Sequence, residues 1–392
     1  MNLVLTLVLL AQVEPIVLVS QKTTPDMLKD VDRLNAIRQE AFDQAVKLLG
    51  AKLPEKWKVA LEVVDGADPD PLKFKRHSGL TAETTSDSAT VARIKIYSEY
   101  FINGIGRMES TFRHEMIHAV MRLDLPRDKY GKIPKWLREG IAVCGSNQVT
   151  EKLWDELSQA KVAAEPEKMV DGLEDSDHNL SDYFEDGVAV SLLKDKFPAI
   201  ESVLREGRTY QEAVEAATGE KFDAFVAKAK ERAIEEVRKV VAEHKDAIDL
   251  FVQIAKKNAE SGAECERFLA VYPKSPLKSA VLYYRAKAAK DEGLPRFEEF
   301  IQSANEPFGK STLVDDATLW KARLLLKKGK KSEAIEQYEY FLRWHVGSSA
   351  AIDALYEWGL VDKERGTAIL KHALELDPNH KLAARAKKAI GE

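Results

Sequence analysis

Between Met27 and Leu49, the apolar residues Leu28, Val31, Leu34, Ile37, Phe42, Val46 and Leu49 follow a 3.6-residue period, which predicts a long amphipathic helix. Thr24-Pro25-Asp26 is a helix opening, and Gly50 a helix stop. Ile16-Val17-Leu18-Val19-Ser20 before it reads as a first strand, and Lys58 to Val64 after it as a second. A turn-rich segment, Asp65 to Pro71, follows. From Thr90 to Tyr97 apolar and polar residues alternate, as in a half-exposed strand. Phe112, Met116, Ile117, Val120 and Met121 then restore the helical period as a stripe that packs into a core. After a charged loop ending at Ile133-Pro134-Lys135, Trp136 to Val143 reads as a short helix; Pro134 suits its start, and Gly140 lets a neighbouring helix approach closely.

Thr150 to Glu235 is predicted mainly helical, with an acidic loop at 171–182 that contains His178, read as a solvated side chain. Tyr183 begins a helix running to Lys196, the stretch from Thr209 to Gly219 is structural, and a charged helix runs from Phe222 to about His244. From Ala247 to Glu392 the chain reads as all-helical and weakly repetitive. Phe268-Leu269-Ala270-Val271-Tyr272-Pro273 is echoed by Ala373-Leu374-Glu375-Leu376-Asp377-Pro378, with Phe341-Leu342-Arg343-Trp344-His345 in phase between them. The spacings suit units of roughly 34 residues, as in tetratricopeptide repeats, although Val346 replaces the middle proline. Such arrays present concave surfaces to peptides, which makes a protein partner on these repeats an expectation; an irregular helical domain without a partner is the alternative.

At 392 residues the chain exceeds one ordinary core, so two domains are expected. A 45% apolar and 31% charged composition with net charge -5 is that of a globular protein without a basic footprint, which argues against nucleic acid as a partner. Leu3 to Leu10 is apolar but too short to span a membrane. It reads as a signal peptide with a cleavage point near Ala11-Gln12, or else as an additional strand; export to the periplasm or beyond follows from the first reading, a cytoplasmic location from the second. Cys144 and Cys265 are too few for a disulfide framework, and Cys144 is read as a small core residue. The expected division is therefore 1–14 as leader, 15–245 as an α+β domain, and 246–392 as helical repeats.

The chemistry lies in Arg113-His114-Glu115-Met116-Ile117-His118. Residues four apart share a helix face, so His114 and His118 can point at one ion, while Glu115 falls roughly 100° around the helix and sits beside it. Two imidazoles, a third ligand from elsewhere and an adjacent carboxylate suit a zinc hydrolase, of a peptide or of another bond. Glu139, amid the apolar residues of the following helix, is costly there unless exposed, paired or metal-bound.

The His114–His118 helix followed by Pro134-Lys135-Trp136-Leu137-Arg138-Glu139-Gly140 resembles the gluzincin metallopeptidases. The likeness is to the peptidase MA-like domains of bacterial proteins, which often stand beside helical repeats. It covers roughly Pro15 to Glu235, with about thirty residues around the two helices diagnostic. The resemblance implies a zincin-like α+β domain with a small sheet, a single Zn2+ held by His114, His118 and Glu139, and Glu115 as the general base acting on a peptide or protein substrate. It further implies that Tyr183 leans over the metal as an oxyanion donor, core packing being its other reading. In that family the strand at 90–97 lies at the active-site edge; an internal strand is the alternative. One departure stands out: the acid usually found one turn after the ligand Glu is Val143 here. A ligand imidazole needs an acceptor for its other N–H, for which a backbone carbonyl, Ser146 and Asp124 are candidates. The rival expectation is a catalytically degenerate scaffold whose repeats bind a protein partner.

Overall fold

The protein is described by a computed structural model for residues 12–21, 23–65, 70–75, 82–98, 108–170, 173, 182–303, 313–345 and 348–392. The expected leader at 1–11 and His178 lie outside these residues. The chain divides into two compact units. The first comprises Met1–Val64, Ala82–Ile96 and Arg107–Lys245; the second comprises Asp65–Thr81, Tyr97–Gly106 and Asp246–Glu392. The division near residue 245 is thus preceded by two excursions of the chain into the second unit, at 65–81 and 97–106.

The first unit is α+β, with a mixed five-stranded sheet: β1 (Gln12–Val13), β2 (Val17–Leu18), β3 (Lys58–Val64), β4 (Ala82–Ser88) and β5 (Val91–Tyr97). The expected strand at 16–20 is instead two short ones, and Gln12–Val13, grouped with the leader in the sequence, forms the first. Both run parallel to β3, opposite Lys58–Val59 and Glu62–Val63. Pro15 lies between them and has no N–H to give to a ladder, which accounts for the break. β4 pairs antiparallel with β5, and the order is β1-β3-β5-β4. The 90–97 strand is therefore internal, flanked by β3 and β4, which corrects its expected place at an edge. Its inward residues Ala92, Ile94 and Ile96 are all buried. The terminal strand is β4, whose Ala-Glu-Thr-Thr-Ser-Asp-Ser sequence carries too little β-propensity to announce itself.

Helix α1 (Pro25–Leu49) starts where Thr24 Oγ1 accepts a hydrogen bond from Met27 N, and stops at Gly50, whose φ of 62° is left-handed. It packs on α2 (Met108–Asp124). Then come α3 (Lys135–Gly145), α4 (Val149–Leu157), α5 (Asp182–Ser191), α6 (Phe197–Arg205), α7 (Tyr210–Thr218) and α8 (Phe222–Glu243). Helices α3 and α5 approach closely: a Cβ on Gly140 would lie 2.5 Å from both the Asp186 carbonyl oxygen and Val190 Cγ2. Only a residue without a side chain permits that approach.

The second unit contains α9 (Lys245–Lys257), α10 (Gly262–Val271), α11 (Lys278–Ala288), α12 (Leu294–Ser303), α13 (Val314–Lys327), α14 (Lys331–Trp344), α15 (Ala351–Val361), α16 (Gly366–Leu376) and α17 (Ala383–Ile390). From α10 onward each helix packs against the next. The three look-alike segments close α10, α14 and α16, so they occupy one structural phase. Cys144 and Cys265 are both buried free thiols. No helix among the described residues is long and apolar enough to cross a membrane.

His345 is buried next to the Phe341 ring, and its Nε2 lies 3.3 Å from Thr318 Oγ1. Burial pushes its imidazole down to about 3. Its contribution to stability is complete above its unfolded pKa and is lost as pH falls towards the folded value. The cost is about 1.4 kcal/mol per pH unit between roughly 6.5 and 3. His345→Phe keeps the apolar contact and cannot titrate. Denaturant melts at pH 7.5 and 4.5 are expected to show the variant gaining on wild type at the lower pH; identical pH slopes would contradict this.

Candidate metal centre

Helix α2 is buried around most of its circumference, and its polar residues are buried with it. His114, Glu115 and His118 are 8%, 9% and 6% exposed. Such groups are held inside a fold only with partners. The partner of both imidazoles is Glu139 on α3. The two Nε2 atoms lie 3.1 Å apart, and Glu139 Oε2 lies 3.2 Å from that of His114 and 3.3 Å from that of His118. Bonds of about 2.0–2.2 Å at tetrahedral angles separate neighbouring ligand atoms by roughly 3.3–3.5 Å, so these three atoms form a triangle of the size of one face of a tetrahedral site. Among the described residues this is the one group of His, Cys, Asp or Glu side chains placed to hold a metal ion.

Electrostatics favour a cation at this point. Burial works against ionising Glu139, yet the charge of His118 and hydrogen bonds from both imidazoles outweigh it and hold the carboxyl well below the usual range. Burial likewise opposes charging His118, but Glu139 and Glu115 outweigh it and raise its pKa. The carboxylate thus keeps its negative charge and draws positive charge to the ring nitrogens.

The outer ring nitrogens are also engaged. His114 Nδ1 lies 2.9 Å from Gln148 Oε1. An amide oxygen can only accept, so Nδ1 carries a proton, and with a metal bound the Nε2 lone pair would face the triangle. Gln148 is itself fixed: Ser146 Oγ donates to its Oε1 at 3.0 Å, its Nε2 donates to Ser110 Oγ at 3.3 Å, and Ser110 donates to Glu151 Oε2 at 3.0 Å. His118 Nδ1 lies 3.5 Å from the Tyr130 hydroxyl. The Tyr130 ring is faced by the guanidinium groups of Arg122 at 4.3 Å and Arg138 at 5.1 Å.

Of the acceptors considered from sequence, Ser146 acts at one remove, through Gln148. Asp124 belongs elsewhere: it accepts from Lys52 N at 2.8 Å and pairs with Arg205. Val143 is fully buried, and its Cγ1 would lie 2.6 Å from a Cβ on Gly187 of α5. The face of α3 that carries an acid in the resembling family is here a helix–helix contact, and the acceptor comes instead from the residue just before α4.

Glu115 does not join the triangle. The Thr84 hydroxyl of β4 donates to its Oε2 at 2.6 Å and lies 3.1 Å from its carbonyl oxygen. Tyr183 is near the site, its ring centroid 6.5 Å from that of His114 and 5.2 Å from Lys152 Nζ. Sequence reasoning named His114, Glu115, His118, Glu139 and Tyr183. It missed Thr84, Tyr130 and Gln148, which lie in an unrecognised strand, a loop helix and a helix junction without a motif.

Gln148→Leu removes the acceptor of His114 without touching the triangle. Divalent-metal affinity, measured by competition with a chromogenic chelator, is expected to fall about 10–100-fold; Gln148→Glu, which keeps an acceptor, should lose much less. Equal affinities for Gln148→Leu and wild type would remove Gln148 from the site. Comparison of the chain with protein-family models, curated proteins and solved structures returned no match, so the site rests on its own geometry.

Proposed function

We propose that the protein is a zinc-dependent hydrolase of peptide bonds, of the gluzincin kind that the two helix motifs resemble. The observation that carries this reading is the buried triangle of His114 Nε2, His118 Nε2 and Glu139 Oε2 with Glu115 held beside it. Two neutral nitrogens and one carboxylate are the donor set of a catalytic rather than a structural zinc site, since three protein ligands leave a fourth position open. When bound, zinc would lower the pKa of a water molecule and polarise the scissile carbonyl.

The remaining work falls to the chain's own groups. Glu115 takes a proton from the attacking water and later delivers it to the leaving amine. Thr84 anchors that carboxylate from one side and restricts its swing. Gln148 sets the tautomer of His114, and Tyr130 supports His118 from behind. Tyr183 is the candidate donor to the oxyanion that develops in the transition state. β4 suits a peptide substrate: it ends the sheet order, and its Thr84 touches the helix that carries the base.

The rival reading, a degenerate scaffold, drew its support from Val143. Gln148 supplies the acceptor that Val143 does not, and an anchored Glu115 has no purpose in a purely structural site. Elemental analysis of gently purified protein is expected to find about one zinc per chain, and His118→Ala should lose it; a metal-free wild type would end the proposal. Glu115→Gln is expected to retain zinc while cleavage of a peptide library drops about 10²–10⁴-fold. Undiminished cleavage by that variant would exclude Glu115 as the base.

A further inference from the structure

The second unit includes a short piece of chain that lies between β3 and β4 in sequence. Its described residues, 65 and 70–75, are separated from the helices they meet by nearly three hundred positions. Asp70 builds a turn here: its Oδ1 accepts from Leu72 N at 3.2 Å, and its carbonyl accepts from Lys73 N at 2.9 Å. The turn sends Pro71 and Phe74 inward and leaves Leu72 and Lys73 exposed. Phe74 is buried within the hydrophobic cluster that contains Leu355 of α15 and Ile369, Leu370 and Ala373 of α16.

Two side chains beside that cluster read the polar part of the segment. Arg365, at the start of α16, pairs with the Asp70 carboxylate. His372 Nε2 donates to the Phe74 carbonyl at 2.9 Å. An anchor for a loop needs only the ring; here a carboxylate, a backbone carbonyl and an aromatic side chain are each met separately. The Asp70–Arg365 pair stays half-exposed at the rim while Phe74 fills the centre, which is the arrangement of a recognition site: apolar core, polar edge. Phe74 contributes the burial, and the rim pair contributes selectivity more than affinity.

We propose that this face of α16 is a docking site for protein segments of the pattern acid-Pro-x-x-aromatic, occupied in cis by Asp70–Phe74 and opened to a partner that carries the same pattern. The proposal is independent of the metal site. A tethered segment competes at an effective concentration in the millimolar range, so a free peptide binds wild type weakly and binds well once the tethered copy is weakened.

The test uses the full chain and a fluorescent peptide with the sequence of residues 68–76, followed by anisotropy. Phe74→Ala is expected to bind the peptide at least tenfold more tightly than wild type. Adding Arg365→Glu should reverse that gain, and a peptide with alanine in place of its phenylalanine should not bind. Equal affinity for wild type and Phe74→Ala, or no binding to a Phe74→Ala chain whose circular dichroism and melt match wild type, would overturn the proposal. Should Phe74→Ala not fold, Asp70→Ala removes the rim pair and the hydrogen bond from Leu72 N while leaving the ring in place, and a several-fold gain in peptide affinity is expected. An unchanged affinity in that variant would overturn the proposal equally. In wild type, saturating peptide is expected to speed amide exchange across 70–75; unchanged exchange at saturation would count against displacement.

Discussion

A largely buried carboxylate set between two imidazoles is held by positive charge or by hydrogen bonds from the rings. Glu139, His114 and His118 meet within 3.3 Å in the first unit, and at Glu139 and His118 the charge of the partner outweighs desolvation. Much around them follows from holding that meeting in place. Helix α3 must present Glu139 to α2, and it is fixed by lying almost backbone to backbone against α5 through Gly140 and Gly187. A side chain at Gly140 would push α3 away from α5 and move the carboxylate that is its immediate neighbour in sequence.

The same packing explains why the support of His114 comes from an unexpected place. With Val143 pressed on Gly187, no polar group can occupy that face of α3 without opening the helix contact. The chain turns instead at Ser146-Asn147-Gln148, where Asn147 takes a left-handed φ of 61°, and Gln148 reaches the ring. An amide that accepts from imidazole and donates to a serine serves the tautomer as an acid would, but adds no charge. The anion beside the two imidazoles therefore remains Glu139, with Glu115 as a second carboxylate tied to β4.

The second unit is organised by a different rule. Its helices pack each on the next, so most of its contacts are local in sequence. Phe74 is an exception, a residue that lies in sequence between β3 and β4 and has joined the core of the last helices.

The sequence by itself determined which side chains could meet to hold an ion. Helical spacing carries two histidines to one face, and a carboxylate amid apolar residues requires a partner; both are local consequences of a 3.6-residue period. Long elements were legible for the same reason: α1 shows its cap, its stripe and its glycine stop, and the 90–97 strand shows its alternation. Only the tertiary structure decided which polar groups stand behind the ligands, because Thr84, Tyr130 and Gln148 reach them across the fold and carry no local signal. Strand order was likewise invisible, since β4 is a strand by virtue of pairing with β5 rather than by composition. The capture of Phe74 belongs to the same class: a single aromatic in a polar turn has no period to betray where it is buried, and the cluster that receives it is formed only when the last helices pack together.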